Sequence, residues 1–389
     1  AFGAMNGLPQ TEQSFRIAGD IELASDQVLA NLEELTLGEA QASGEIRYDS
    51  TTSQLSAQLA VNNADFRPWI GANDSANAVA EDSEESDGRL IPAIPLPVEP
   101  LFAMNTDLEV ELRNLMIPDP IFPELSFVDE ALLTLESGEG SGTVEVIGMR
   151  GSRGQLSAKT ELTAKNGITH ARLIATVDAA PFGLLSRGSR YEVLPKHSAN
   201  IDLSASGADT RQLAATLDGT ILLTGGQGSL RRTALNFATE SFAAQLIKLI
   251  FPSLESQAPT MEVECTVLAA RAAEGIIHLD PGFVFRSEKL DLSARGTIDL
   301  SKERLAVRFD NQARKGLGIS AASLVNPYVQ ITGSMSKPSL ALDLTNTALM
   351  GGAAIASGGL TVLAKPLYGR FLLSKDPCAE AVRRRNEQP

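Results

Sequence analysis

The segment FRIAGDIEL, residues 15–23, alternates apolar and polar side chains with a period of two. The same period recurs in LEVEL at residues 108–112 and in VQITG at residues 329–333. Because successive side chains of a β-strand point to opposite faces, this pattern predicts sheets with one apolar and one polar face. A sheet whose apolar face is covered by protein belongs to a sandwich or barrel, whereas an uncovered apolar face is a binding surface for an apolar ligand.

Composition limits the functional classes. The 389 residues are enough for two or three domains or for one elongated repeat structure. A formal net charge of −15 argues against nucleic acid as a partner and against general adhesion to anionic lipid headgroups. Aromatic residues make up only 5% of the chain, so its apolar faces consist mainly of Leu, Ile, Val and Ala. The sequence begins at Ala1 without a basic or apolar leader, and we expect either a processed chain or a fragment of a longer one.

The alternating pattern predicts three blocks of strands, over residues 1–70, 101–230 and 259–344. Residues 71–100 separate the first two blocks. They begin with an acidic stretch that lacks the apolar side chains needed for ordering, and they end in a proline-rich extended segment.

The period changes to three and four within residues 231–258, where Leu235, Phe242, Leu246 and Leu249 form an amphipathic stripe. This pattern predicts a helix that ends at Pro252. The helix has two interpretations: it packs its stripe on the sheet, or it plugs or gates a groove.

Residues 345–378 form an apolar, Gly- and Ala-rich segment that predicts helix. Its weak hydrophobicity favours a buried or membrane-surface helix pair broken near Gly358 and Gly359, and a transmembrane span is the alternative. Residues 379–389, with three consecutive arginines, are predicted to be a frayed tail.

A Gly-x-Ile phrase recurs within strand patterns, starting at Gly19, Gly44, Gly219 and Gly296. The longer similarity around Gly44 and Gly296 reads as a hairpin that begins at a glycine and turns through polar residues. Two interpretations stay open: a repeated sheet unit stacked along one axis, or chance similarity between alternating hairpins.

The pattern of reactive residues does not predict an enzyme. The histidines at positions 170, 197 and 278 are dispersed, and no Cys-x-x-Cys motif is present. The glycine clusters at residues 225–228 and 138–142 predict a turn and a hairpin tip. We therefore expect neither a catalytic residue, a metal site nor a cofactor, while an envelope hydrolase is the weakest of the hypotheses because no nucleophile–base pair is recognisable.

Several longer phrases resemble the AsmA family. They are SARGTIDL at residues 293–300, VQITGSMSKPSL at residues 329–340, LAATLDGT at residues 213–220 and IPLP at residues 94–97. The region 261–344 resembles the C-terminal region of that family, and residues 15–70 and 88–165 resemble its repeated strand blocks.

The resemblance implies a Gram-negative envelope protein of the periplasm, tethered to the inner membrane by an N-terminal segment outside this sequence. It also implies a relationship to bridge-like lipid transfer proteins. The expected fold is mainly β: an elongated, curled, mostly antiparallel sheet that forms an open groove, with a few amphipathic helices near the C-terminus.

The function implied by this resemblance is phospholipid transfer. Acyl chains would lie along the apolar groove between the inner and outer membranes, in support of outer-membrane homeostasis, and envelope membrane proteins would meet either end. Bound phospholipid is the expected ligand. The alternative is a structural or chaperone-like factor that offers sheet edges to client strands during outer-membrane protein assembly, without carrying lipid.

The predicted groove lining is the apolar phase of the C-terminal strands, although ordinary core packing is an equally good explanation for each residue. It comprises Leu290, Leu292, Ile298, Leu300, Leu305, Val307, Phe309, Val329, Ile331, Leu340 and Leu342.

Composition alone leaves the two cysteines, Cys265 and Cys378, as either unrelated thiols or a disulfide. The family resemblance implies an oxidising periplasm and hence a Cys265–Cys378 disulfide.

Overall fold

The chain is mainly β, and most of its strand pairs are antiparallel, which confirms the predicted fold class at that level. A computed structural model describes residues 15–65, 89–96, 98, 102, 104–116, 127–138, 140–151, 154–181, 195–231, 260–288, 290–314, 329–342 and 375–387. The chain divides into two compact units. Unit 1 comprises Ala1–Gly88 and Pro95–Arg190, and unit 2 comprises Arg89–Ile94 and Tyr191–Pro389.

Unit 1 contains a sheet of nine strands in which each strand pairs with the next along the chain. The strands are β1 (Phe15–Leu23), β2 (Gln27–Leu37), β3 (Ala40–Asp49), β4 (Gln54–Asn62), β5 (Asn105–Met116), β6 (Phe127–Gly138), β7 (Ser141–Gly151), β8 (Gly154–Lys165) and β9 (Ile168–Pro181).

One pair in this sheet, β4 with β5, is parallel. Hairpin turns join antiparallel strands, whereas a parallel neighbour requires the chain to return to the same end of the sheet. Residues 63–104, which separate the two strands, provide the length for that return. Short connections join most of the remaining pairs and explain why those pairs are antiparallel.

Unit 2 contains a second set of nine strands, again paired mainly in chain order. The four-residue β12 pairs with the beginning of β13, and β11 pairs with the rest of it. The strands are β10 (Lys196–Gly207), β11 (Asp218–Gly225), β12 (Gly228–Arg231), β13 (Thr260–Ala273), β14 (Ile276–Ser287), β15 (Leu290–Asp299), β16 (Arg304–Ala313), β17 (Val329–Ser334) and β18 (Pro338–Leu342).

Two helices are described, both in unit 2. Helix α1 (Thr210–Ala215) is capped by Asp209, whose carboxylate accepts a hydrogen bond from the Gln212 amide at 2.8 Å. Helix α2 (Pro377–Glu387) corrects the prediction of a frayed tail over residues 379–389. Residues 379–387 are helical, and the helix is held in place because Cys378 and Ala381 are buried against strands β13 and β14.

The beginning of the proline-rich segment is fixed to unit 2 by its backbone. The amides of Leu90 and Ile91 donate to the buried carboxylate of Glu303 at 2.6 and 3.1 Å. The Arg211 guanidinium donates to the Ile91 carbonyl at 3.1 Å. These bonds satisfy backbone amides and a carbonyl of a segment that does not pair with a neighbouring β-strand at these residues.

The four glycines of the Gly-x-Ile phrase share one structural role. Each lies within a strand with positive φ, from +133° at Gly219 to +159° at Gly19. A Cβ atom at Gly44 or at Gly296 would lie 2.0 Å from a carbonyl oxygen of the neighbouring strand, and the other two positions are equally crowded. The shared geometry favours a repeated structural unit over chance similarity.

Several predicted segments lie outside the described residues. They are the helix of residues 231–258 beyond Arg231, the segment 345–378 up to residue 374, and the acidic stretch before Arg89. Within the described part of the chain, no helix is both long enough and apolar enough to span a membrane.

Candidate functional site

The sheet of unit 1 has one apolar face, and strand register defines it directly. Residues that pair across neighbouring strands point to the same face, so a chain of register partners forms a row across the sheet. One such row crosses all nine strands and contains a single polar side chain. Its members are Ile21, Ala30, Ile46, Ala57, Leu108, Leu135, Val144, Thr160 and Leu173.

A second complete row runs beside the first on the same face and contains only glycine and aliphatic residues. Its members are Gly19, Leu32, Gly44, Leu59, Val110, Leu133, Val146, Ala158 and Ala175. At about 4.8 Å between strands, each row extends for about 38 Å along the sheet. We call the surface formed by these two rows the unit 1 apolar wall.

The opposite face of the same strands is polar. The row between the two apolar rows contains Asp20, Asn31, Glu45, Gln58, Glu109, Thr134, Glu145, Lys159 and Ile174. Eight of these nine side chains are polar or charged, so the two faces differ sharply in hydrophobicity.

Most side chains of the unit 1 apolar wall are only partly buried. Ile21, the β1 member of the first row, is 69% exposed, and its strand neighbours Ile17 and Leu23 are 62% and 76% exposed. Large aliphatic side chains in a sheet covered by a second layer are usually buried. The described residues of unit 1 include no helix that covers this wall.

The predicted groove lining in unit 2 is different, because most of it is a packed core. Leu292 is 1% exposed and Ile331 is 3% exposed, and both belong to one buried cluster with Leu305, Val307 and Phe309. Ile298 packs against this cluster. Leu290 is partly buried, and Leu300 is partly buried just beyond the end of β15.

Backbone register brings the remaining predicted residues to the same part of the sheet. Val329 pairs with Phe309 and Leu342, and Ile331 pairs with Val307 and Leu340. The structure therefore groups the predicted set in β15–β18. Lipid contact at these positions stays a prediction, and the burial of Leu292, Leu305, Val307, Phe309 and Ile331 gives core packing the stronger support at those five.

Helix α2 covers part of the other face of unit 2. Its Cys378 forms the expected disulfide with Cys265 of β13, with the two Cα atoms 6.4 Å apart. Ala381, fully buried, contacts the cluster formed by Val267, Ala269 and Val284.

A charged network fixes the start of this helix. Arg286 forms a bidentate ion pair with Asp291, at 2.9 and 3.0 Å, and donates to the Lys375 carbonyl at 2.6 Å. The Asp291 carboxylate raises the pKa of Arg286 above its ordinary value. Arg314 bonds to the Glu264 carboxylate and donates to the Ser287 carbonyl. The network pairs the opposite charges of Arg286 and Asp291, whose side chains are both nearly buried.

The described side chains of unit 1 provide an extended apolar surface. In the described ranges, no group of three or more His, Cys, Asp or Glu side chains is placed to hold a metal ion. The most extended apolar surface among the described residues is the unit 1 apolar wall. None of the predicted lining residues belongs to it, because all of them lie in unit 2. The period-two alternation of residues 15–62 and 105–177 was the signal that could have added it.

Comparisons with protein-family models, with curated proteins and with solved structures found no match for this chain. The resemblance to the AsmA family therefore rests on the sequence phrases quoted above.

Proposed function

We propose that this protein binds phospholipid acyl chains along an apolar β-sheet surface and transfers lipid across the periplasm, between the inner and outer membranes. The observation that carries the proposal is the unit 1 apolar wall, whose two rows cross nine strands with one polar side chain, Thr160, and whose aliphatic side chains are mostly partly exposed. An AsmA-type function predicts such a surface.

The chemistry of the wall suits acyl chains. Apart from Thr160 its side chains are aliphatic, so it offers a hydrocarbon chain van der Waals contact with few polar partners. Each methylene removed from water contributes about 0.8 kcal/mol. The rows, about 38 Å long, exceed the roughly 15 Å of one bilayer leaflet, so the wall is longer than one lipid tail. A uniform surface of that length permits a tail to slide between equivalent positions.

Glycine placement supports a curled, groove-forming sheet. Gly19 and Gly44 lie in one row of the wall, and the β1–β2 register shifts between Ala18 and Gly19. A register shift also follows Leu279, the β14 partner of Gly296. Bulges and strand glycines increase the local bend and twist of a sheet. Repeated at corresponding positions, they would curve the strands around the apolar side.

The disulfide supports the proposed periplasmic location. Structural disulfides persist in oxidising compartments and are rare in the cytosol of mesophiles. Cys265 and Cys378 are both disulfide-bonded. The proposal includes an inner-membrane tether and partners that are membrane lipids and envelope membrane proteins. Neither nucleic acid nor a cofactor takes part in it.

Native mass spectrometry of detergent-free protein tests lipid binding. The wild type should retain phospholipid, and Leu133→Glu, which places a charge in the wall, should reduce the bound fraction about tenfold or more. Thr134→Glu is the matched control, because it adds the same charge one residue away on the polar face.

The proposal fails if the wild type contains no lipid and cannot be loaded with it. Equal lipid loss in Leu133→Glu and Thr134→Glu would also contradict it, since both faces would then respond alike.

The alternative, a chaperone-like factor, is supported by the β1 edge. Among the described strands β1 pairs with β2 alone and carries highly exposed Ile17, Ile21 and Leu23. An unpaired strand edge is a template for another strand. Site-specific crosslinking from Ile21 to unfolded porin-type clients, undiminished in Leu133→Glu, would favour this function over lipid transfer.

A further inference from the structure

Helix α2 directs one of its three consecutive arginines toward the sheet. Cys378, Ala381 and Arg385 are spaced by three and four residues, so they share one face of the helix. Cys378 and Ala381 are buried on that face, and Arg385 donates to the Thr220 hydroxyl at 3.4 Å. Arg383 and Arg384, by contrast, form ion pairs with Glu380.

The sheet below the end of the helix presents a polar row. Thr220 pairs with Arg271 across β11 and β13, and Arg271 pairs with His278 across β13 and β14. Directly opposed side chains in antiparallel strands have Cβ atoms about 5 Å apart. Arg271 and His278 are both exposed, so their polar ends are accessible from this face.

These side chains line one open cleft with a volume of about 790 Å³. Arg385 enters it from the helix, and Thr220, Arg271 and His278 enter it from three strands. Much of the remaining lining is backbone and small side chains, at Gly219 and at residues 269–273 apart from Arg271, which leaves room for a ligand.

Two carboxylates border this group. Asp218 lines the cleft, and its carboxylate accepts a hydrogen bond from the Glu274 amide at 3.0 Å in the adjacent turn. Asp202 lies across Thr220 on β10. Two guanidinium groups, an imidazole and a hydroxyl nonetheless converge from four elements in a chain whose overall charge is strongly negative.

We infer that this cleft binds a phosphate group. Guanidinium groups bind phosphate oxygens bidentately, and the Thr220 hydroxyl and the His278 ring N–H supply further donors. The phosphate belongs either to a lipid headgroup or to free phosphate in solution. The inference is independent of lipid binding by unit 1, because the cleft lies wholly within unit 2.

Isothermal titration of the full, oxidised chain with inorganic phosphate at constant ionic strength tests the site. We expect saturable binding that weakens about tenfold or more in Arg385→Gln and in Arg271→Gln, because each variant removes a charged hydrogen-bond partner. Arg384→Gln is the matched control: it removes the same charge from the adjacent position of the same helix and should bind like the wild type. Arg271→Gln keeps the test valid if Arg385→Gln undocks α2.

A second titration uses phosphatidylglycerol vesicles in place of phosphate. Binding of inorganic phosphate supports a free-phosphate site, and Arg271-dependent binding to vesicles alone supports a headgroup site. Binding of neither probe overturns the inference, as does an equal loss of binding in Arg384→Gln and Arg385→Gln.

Discussion

At the residue scale, the Arg286–Asp291 pair shows how the sequence places charge inside a sheet protein. The two residues are register partners on β14 and β15, and their side chains are 11% and 6% exposed. An ion pair this close to full burial loses hydration, so its stabilising effect depends on retaining both partners. Its two hydrogen bonds and the bond to the Lys375 carbonyl satisfy the guanidinium.

We predict that Arg286→Met destabilises the protein by about 3–5 kcal/mol, because it leaves the Asp291 carboxylate buried without its main partner. The double variant Arg286→Met/Asp291→Leu should recover much of that loss. Urea denaturation of the two variants and the wild type measures both effects. A double variant less stable than the single variant would contradict the interpretation.

The crowded glycines lead to a second prediction at this scale. Gly296→Ala would place a Cβ atom 2.0 Å from the Ala306 carbonyl oxygen, at a backbone φ of +143°. We expect a loss of about 1–3 kcal/mol in unfolding free energy. Gly226→Ala is the control, because its nearest neighbour would lie 3.8 Å away, and it should change stability little. Thermal denaturation compares the two, and equal effects would refute the argument.

At the scale of an element, helix α2 is joined to the sheet by a covalent bond, a small apolar contact and the Arg286–Lys375 hydrogen bond. Its own composition is strongly charged, so little intrinsic hydrophobicity holds it in place. This composition explains why the sequence predicted a frayed tail. The three arginines dominate the sequence pattern and obscure the stripe formed by Cys378, Ala381 and Arg385. This stripe faces the sheet, and its position depends on a disulfide to a cysteine 113 residues away.

Removing the disulfide should therefore release α2. The bridge closes a loop of 113 residues, for which a chain-entropy estimate gives roughly 4–5 kcal/mol. We predict that Cys265→Ser/Cys378→Ser lowers the urea midpoint and increases amide exchange in residues 377–387. The variant should no longer respond to reductant. Unchanged exchange in α2 would show that the noncovalent contacts alone suffice.

Acid should also weaken the helix. Hydrogen bonds from Arg384 and Arg383 lower the pKa of Glu380 below its ordinary value of 4.5. A carboxylate with a lowered pKa in the folded state stabilises the protein above its unfolded pKa, and that contribution is lost as pH falls through the folded value. We predict that Glu380→Gln reduces the loss of stability between pH 6 and pH 3, measured by urea denaturation. Glu109→Gln on unit 1 is the control and should not mimic it.

At the scale of the whole molecule, charge is divided unequally between the units. Unit 1 contains 29 acidic and 11 basic residues, whereas unit 2 contains 19 acidic and 22 basic residues. The negative charge of the chain thus belongs to unit 1, whose polar face carries rows of carboxylates. Like charges on one sheet face repel each other, and salt screens that repulsion.

We predict that raising the salt concentration from 10 to 150 mM, a change of the Debye length from about 30 to 8 Å, increases amide protection in β2–β8. Protection in β13–β16 should change less. Hydrogen exchange with mass spectrometry measures both regions in one sample. An equal response in the two units would mean that charge imbalance contributes little to local stability.

Strand positions were the part of the fold that the sequence predicted well. Residues 55–61 and 155–164 lie within strands, as their alternation predicted. A period of two indicates the extended conformation and also which side chains share a face of the sheet. The parallel β4–β5 pair was not predictable, since alternation does not specify which strand becomes a neighbour. Burial was not predictable for the same reason: Leu292 and Leu108 obey the same pattern, yet Leu292 is buried and Leu108 is only partly buried.

Pairing between sequence neighbours also has a consequence for how the chain acquires its structure. Within each unit nearly every strand pairs with the strand just before it in the chain, so most pairs require only a short loop closure. The Cys265–Cys378 bond, by contrast, requires residue 378, which follows all the described strands in the chain. A chain that stopped before residue 378 would contain every described strand but would lack the disulfide that joins helix α2 to strand β13.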